Sequence, residues 1–184
     1  IFGGIPPGGT VSEVGCRDQS MPMRAENVMI DFPMFFGKRS RRWDNKGVGF
    51  IDTTSDPERP TYGRMYLITK EQYLDVVRQE NNDMTLEIDF DRLEQDGEFV
   101  IDPAKMYGKV LDVGEKEGRP IYTFTHPDRI RDEERIAPSL TYLKVIGAGI
   151  KEAFEISTEE LVDYYLLRDE VAEVYTREEL LNQL

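Results

Sequence analysis

The 184-residue chain is poor in the residues that build the commonest catalytic and metal sites, with one His, one Cys and one Trp. A single His and a single Cys cannot form a zinc site of the usual His/Cys kind. One Cys also excludes an internal disulfide, which fits a reducing compartment, so we expect a cytoplasmic protein. A Ser-His-Asp triad would have to use His126. An enzyme built on this sequence therefore has to work mainly with carboxylates, hydroxyls or backbone amides, or with a bound cofactor.

Positive charge is also scarce, because 23 Lys and Arg stand against 36 Asp and Glu, for a net charge of −13. This balance argues against a nucleic-acid partner, since phosphate neutralisation needs clustered cations. No apolar run of about 18 residues occurs, so we expect no membrane span. Residues 152–184 hold ten acids and two bases, whereas residues 38–42 carry four bases. We interpret the acidic stretch as a solvated helical surface, with a protein-interaction surface as the alternative.

The order of predicted elements is strands first, one inserted helix, and then helices, which indicates an α+β fold in a single domain over residues 1–184. Strand patterns cover 27–36, 48–52, 62–68, 107–113 and 120–124, the last two forming a hairpin around 114–118. Capping signals start helices at Thr69, Ser139, Ser157 or Thr158, and Thr176. We expect the short strands to curl into a small mixed β-barrel with the helices packed on it.

Glu80 is the most informative single residue. In a helix that starts after Thr69, it shares one face with Tyr73, Val76 and Val77. A carboxylate on an inward face loses hydration, so its pKa is expected to rise toward neutrality, which suits a general base. The alternative is that Glu80, at the end of the helix, turns into water or pairs with an Arg.

Three segments resemble the γ-glutamylcyclotransferase-like family and occur in that family's order. In residues 61–80, TYGRMYLITKEQYLDVVRQE, an aromatic-Gly pair in a strand leads into a helix that ends on a glutamate. Residues 40–51 resemble the family's loop and next strand, and residues 138–149 resemble its Pro-Ser-x-x-Tyr helix. The resemblance covers roughly residues 27–82 and 138–166. It implies Glu80 as the catalytic residue, Tyr142 as a substrate hydrogen-bond partner, and Gly3, Gly4, Ser40 and Arg41 as residues bordering the substrate pocket.

The sequence departs from the family pattern in three places. No Tyr-Gly-Ser loop, which binds the substrate carboxylate in the family, occurs in it. The chain opens at Ile1-Phe-Gly-Gly without Met, about where that loop would end, so we expect native residues and an N-terminal strand upstream. Asn81 stands where many members have Gly. Residues 83–118 form a longer insert than the family has, and we expect this insert to influence substrate choice.

The resemblance implies a γ-glutamyl amine cyclotransferase. The α-amine of a γ-glutamyl compound attacks its own γ-carbonyl, forms 5-oxoproline and releases the other half. The nucleophile is tethered, so proximity supplies much of the rate, and one carboxylate can move both protons. Such a reaction needs no metal or other cofactor, and its partner is a small γ-glutamyl molecule bound by a monomer or homodimer. The alternative is a non-catalytic ligand-binding or regulatory module on the same fold.

Overall fold

The computed structural model describes residues 2–5, 10, 12, 14–128 and 134–184. Residues 6–9 of the glycine-rich start and part of the charged segment before Arg135 lie outside the described residues. The strands are β1 (Arg24–Ile30), β2 (Met34–Ser40), β3 (Lys46–Ile51), β4 (Thr61–Leu67), β5 (Glu98–Val100), β6 (Lys109–Lys116) and β7 (Arg119–Thr125). The helices are α1 (Lys70–Glu80), α2 (Phe90–Asp96), α3 (Leu140–Phe154), α4 (Thr158–Leu166), α5 (Asp169–Ala172) and α6 (Arg177–Gln183). The α+β class is thus confirmed.

The described strands form three small sheets and do not close into the expected barrel. β1 pairs with β4, β2 pairs with β3, and β5, β6 and β7 form a three-stranded sheet in that order. A closed barrel needs every strand bonded on both edges. Here the β6–β7 hairpin joins only β5, and the β2–β3 ladder loses its register between Gly37 and Ser40.

The strand expected over 27–36 is two strands, so that prediction is wrong in its bounds. β1 ends at Ile30, and β2 begins at Met34 with a different partner. Pro33 lies in the break and lacks the N–H that a continuous ladder needs. Its carbonyl instead accepts a hydrogen bond from the Asp52 backbone N–H at 2.8 Å.

The chain divides into two compact units, and the break between β1 and β2 coincides with one of the boundaries. Unit 1 comprises Ile1–Ile30 and Arg64–Arg129, and unit 2 comprises Asp31–Gly63 and Ile130–Leu184. Each unit has its own apolar core. The single domain over residues 1–184 stays a prediction.

Unit 1 is built around α1 and the β5–β6–β7 sheet. Its core contains Val77 of α1, Leu93 of α2 and Val110 of β6, each fully buried. A capping box starts α1, because Gln72 N donates to Thr69 Oγ1 and Thr69 N donates to Gln72 Oε1, each at 3.1 Å. The predicted hairpin is confirmed, and the insert 83–118 accordingly contains α2, β5 and β6.

Unit 2 is built on the β2–β3 ladder and the C-terminal helices. α3 packs closely on α4, since a Cβ added at Gly147 would lie 2.7 Å from Leu161 Cδ2. The neighbour for which Gly147 makes room is thus a helix and not a strand. A Cβ at Gly149 would have nothing within 4 Å, so only one of the two glycines is needed for packing.

Two side chains that follow α4 form hydrogen bonds with backbone groups of β2. Arg168 Nε donates to the Met34 carbonyl at 3.2 Å, and the Phe36 N–H donates to Glu170 Oε1 at 2.6 Å. Both side chains are buried, with Arg168 1% and Glu170 6% exposed. The C-terminal helices therefore hold β2 through polar groups as well as through apolar packing.

Candidate functional site

Glu80 is the last residue of α1, and its side chain is exposed. The expectation that it lies on the inward face is therefore wrong. The buried residues of α1 are Gln72, Asp75, Val77 and Arg78, so the inward face is largely polar and rotated away from Glu80. The spacing of apolar residues in the sequence predicted the wrong inward face, because most of the side chains that α1 buries are polar.

The polar inward face of α1 is fixed by Asp75, whose side chain is fully buried. Asp75 Oδ2 accepts from the Arg17 backbone N–H at 2.9 Å, and Asp75 Oδ1 accepts from Arg17 Nη2 at 3.0 Å. Arg78 Nη1 lies 3.4 Å from the same Oδ1. The hydrogen bonds from Arg17 lower the pKa of Asp75, so this carboxylate stays ionised and is an anchor, unlike a group poised to exchange protons near neutral pH.

The end of α1 beside Glu80 is held by Asn81. Asn81 Nδ2 donates to the Tyr107 carbonyl at 2.9 Å, and the Tyr107 N–H donates to Asn81 Oδ1 at 3.1 Å. Asn81 has a right-handed backbone with φ of −94°, so this position does not need Gly. Asn81 therefore ties the end of α1 to Tyr107, in the segment 83–118.

In unit 2, Tyr142 lies in the first turn of α3, which Ser139 caps. Its hydroxyl accepts a hydrogen bond from the Gly49 N–H at 3.3 Å, and its ring centroid lies 4.7 Å from that of Trp43. Trp43 is only 8% exposed, so its ring packs in the interior of the unit.

Ser40 and Arg41 begin the turn that leads to Trp43. Ser40 is half-buried, and its carbonyl accepts from the Asn45 N–H at 2.9 Å. Arg41 is exposed. In unit 2, the turn that begins at Ser40 and Arg41 thus leads to Trp43, and the ring of Trp43 packs against that of Tyr142.

Gly3 and Gly4 lie in unit 1 and are exposed, with φ of 71° and 105°. These left-handed angles favour glycine. The predicted site residues are therefore divided between the units: Gly3, Gly4 and Glu80 belong to unit 1, whereas Ser40, Arg41 and Tyr142 belong to unit 2.

An open cleft of about 740 Å³ lies wholly within unit 1 and was not anticipated from the sequence. Thr69, Lys70, Tyr73 and Val76 of the start of α1 line it. Glu80 is not one of its lining residues, and it lies about 6 Å farther along the helix axis than Val76, the last residue of α1 that lines the cleft.

Over the part of the chain that the structure describes, no group of three or more His, Cys, Asp or Glu side chains is placed to hold a metal ion. The helices of that part include none long and apolar enough to cross a membrane.

Comparison with known proteins gives a limited result. No family model and no solved structure matches the chain. A curated relative, histone deacetylase 5 of Arabidopsis thaliana, is 29% identical in an alignment 171 residues long that covers 82% of this chain and 25% of the relative. The chain thus spans about a quarter of that relative's length.

Proposed function

We propose that the chain is a γ-glutamyl amine cyclotransferase with the γ-glutamylcyclotransferase-like fold, in which Glu80 acts as general acid and base. The observation that carries the proposal is the strand-to-helix passage of β4 and α1. The aromatic-Gly pair Tyr62-Gly63 lies in β4, and the helix that follows ends on an exposed Glu80. This is the local arrangement that the resemblance implies for the catalytic glutamate.

On this proposal Glu80 accepts a proton from the substrate α-amine as the amine attacks the γ-carbonyl. The same carboxyl then gives the proton to the departing amine, so the five-membered ring closes without net proton change. Asn81 keeps the carboxylate in place by fixing the end of α1. Tyr142 is the proposed hydrogen-bond partner of the substrate, with Gly3, Gly4, Ser40 and Arg41 bordering the pocket. A cytoplasmic location and a monomeric or homodimeric state belong to the same proposal.

A non-catalytic ligand-binding module is the second candidate, and the cleft in unit 1 favours it. That cleft is lined by α1 as far as Val76, and Glu80, one turn farther on, is not among its lining residues. A module of this kind would bind a small molecule in the cleft without using the carboxylate. The name of the Arabidopsis relative belongs to a much longer protein, and neither candidate function draws on it.

A substrate panel distinguishes the two candidates. The full chain is incubated with glutathione, γ-glutamylalanine and the γ-glutamyl-lysine isopeptide, and 5-oxoproline is measured by liquid chromatography with mass spectrometry. The cyclotransferase proposal expects 5-oxoproline from at least one of them. Absence of product from all three, together with ligand binding in the cleft, would favour the non-catalytic module.

A further inference from the structure

The cleft of unit 1 is lined by both aromatic and charged side chains. Lining residues come from β1 and β4, and from β7 and the turn before it. The start of α1 and Phe90 of α2 also line it. A volume of about 740 Å³ is within the range of small-molecule sites, which is about 300–1,000 Å³.

The α1 and α2 side of the cleft is aromatic. The ring centroids of Tyr73 and Phe90 are 6.5 Å apart, and that of Tyr122 lies 6.0 Å from Tyr73 and 6.1 Å from Phe90. Burial raises the pKa of Tyr73, and it raises that of Tyr122 to about 12, so both phenols are neutral at physiological pH. Tyr66 on β4 adds a ring that is 50% exposed. These surfaces favour a flat apolar ligand body, since aromatic pairs gain from offset and edge-to-face contacts.

Most of the charged side chains that line the cleft are cationic, although the chain carries −13. Five cationic side chains and two carboxylates line the cleft. The carboxylates are already paired, because Glu117 lies 2.9 Å from Arg24 and Glu26 accepts from Lys116. These pairs connect β1 with the β6–β7 turn along one side of the cleft.

Two of the cations keep most of their binding capacity for a ligand. Arg64 is exposed and forms no ion pair with any residue in the described part of the chain. Its guanidinium lies 5.9 Å from the centroid of the Tyr66 ring. Arg119 reaches Glu117 only at 3.8 Å, beyond hydrogen-bond distance. A guanidinium of this kind can bind a carboxylate through two parallel hydrogen bonds.

We propose that this cleft binds a small aromatic carboxylate, with its ring against Tyr73, Phe90 and Tyr122 and its carboxylate at Arg64 and Arg119. The aromatic side sets the shape of the ligand body, and the excess of cations sets the sign of its charge. The proposal does not depend on the cyclotransferase activity, because Glu80 does not line the cleft. The site is thus separate from the proposed catalytic residue, and either can fail without the other.

The test uses naphthylacetate as the probe and naphthylacetamide, which has the same ring without the charge, as its matched control. Both are titrated into the ¹⁵N-labelled full chain, and backbone amide shifts are followed by NMR. We expect naphthylacetate to shift amides of β4, β7 and the first turn of α1, and to bind about 10-fold more tightly than the amide. Equal affinity for the two probes, shifts mapped elsewhere, or no shifts at millimolar concentration would overturn the proposal.

A charge-removal pair tests the role of the guanidinium. Arg64→Gln should weaken naphthylacetate binding about 10-fold and leave naphthylacetamide binding unchanged. Arg92→Gln is the control, because Arg92 is an exposed cation of the same unit outside the cleft. Equal loss in both variants would indicate attraction by overall charge alone and would contradict a built carboxylate site.

Discussion

Replacing Glu170 by Ala should strongly destabilise unit 2. The substitution removes the acceptor of the Phe36 N–H, which is fully buried, and a buried donor without an acceptor costs about 1–3 kcal/mol. It also removes a buried carboxylate whose charge partly offsets the burial of Arg168, which lowers the pKa of that guanidinium. We therefore expect a loss of about 1–3 kcal/mol from a native stability on the order of 5–15 kcal/mol.

Trp43 provides the assay, since it is the only Trp and is buried in unit 2. Urea unfolding followed by its fluorescence should show a lower midpoint, by about 1 M for a loss of about 2 kcal/mol at a slope of about 2 kcal/mol/M. Glu170→Gln keeps an acceptor oxygen and should lose less. Glu173→Ala is the matched control, because Glu173 is an exposed acid of the same segment, and it should change stability by no more than about 0.5 kcal/mol. A similarly small effect of Glu170→Ala would refute the proposed edge contact with β2.

Three further predictions concern stability. The pKa of Asp75 is lowered by Arg17, so below the ordinary value of 3.8 the unfolded state binds more protons than the folded state. The free energy of unfolding should therefore decrease as the pH is lowered through that window, and it should decrease less steeply in Asp75→Asn, as measured by urea unfolding across a pH series. In α3, Gly149→Ala should raise the unfolding free energy by up to about 1 kcal/mol, whereas Gly147→Ala should lower it through a clash with Leu161; equal effects in thermal melts would contradict the packing. Asn81→Gly should lose three side-chain hydrogen bonds, two with Tyr107 and one with the Val77 carbonyl, for about 2–4 kcal/mol in total, and it should speed hydrogen exchange at the end of α1; unchanged exchange would refute that anchor.

Local signals in the sequence predicted α1, α3, α4, α6 and the hairpin, but they did not predict α2 or α5. The capping boxes at Thr69, Ser157 and Thr176 are present, because each depends only on residues three positions apart. The hairpin turn is tighter than predicted, since Glu117 and Gly118 both adopt positive φ and allow a two-residue turn. Nine of the ten acids in 152–184 are exposed, which supports the interpretation of a solvated surface.

Contacts between polar residues that are distant in the chain could not be predicted from the sequence. The tenth acid, Glu170, is buried against β2, a contact 134 residues away in the chain. Asp75 is buried because Arg17, 58 residues earlier, reaches it, and this pairing turns the inward face of α1 away from Glu80. The cleft in unit 1 likewise combines strands and a helix that are distant in sequence. Hydrophobic periodicity carries no information on such contacts, since they depend on the tertiary fold.

The most direct test of the central claim is the rate of 5-oxoproline formation by Glu80→Gln beside the wild-type chain. General acid–base catalysis contributes about 100- to 10,000-fold, so the variant should lose at least about 100-fold in kcat on whichever γ-glutamyl amine the wild type converts. Glu115→Gln, at an exposed acid elsewhere in unit 1, should keep the wild-type rate. A Glu80→Gln protein as active as the wild type would contradict the account.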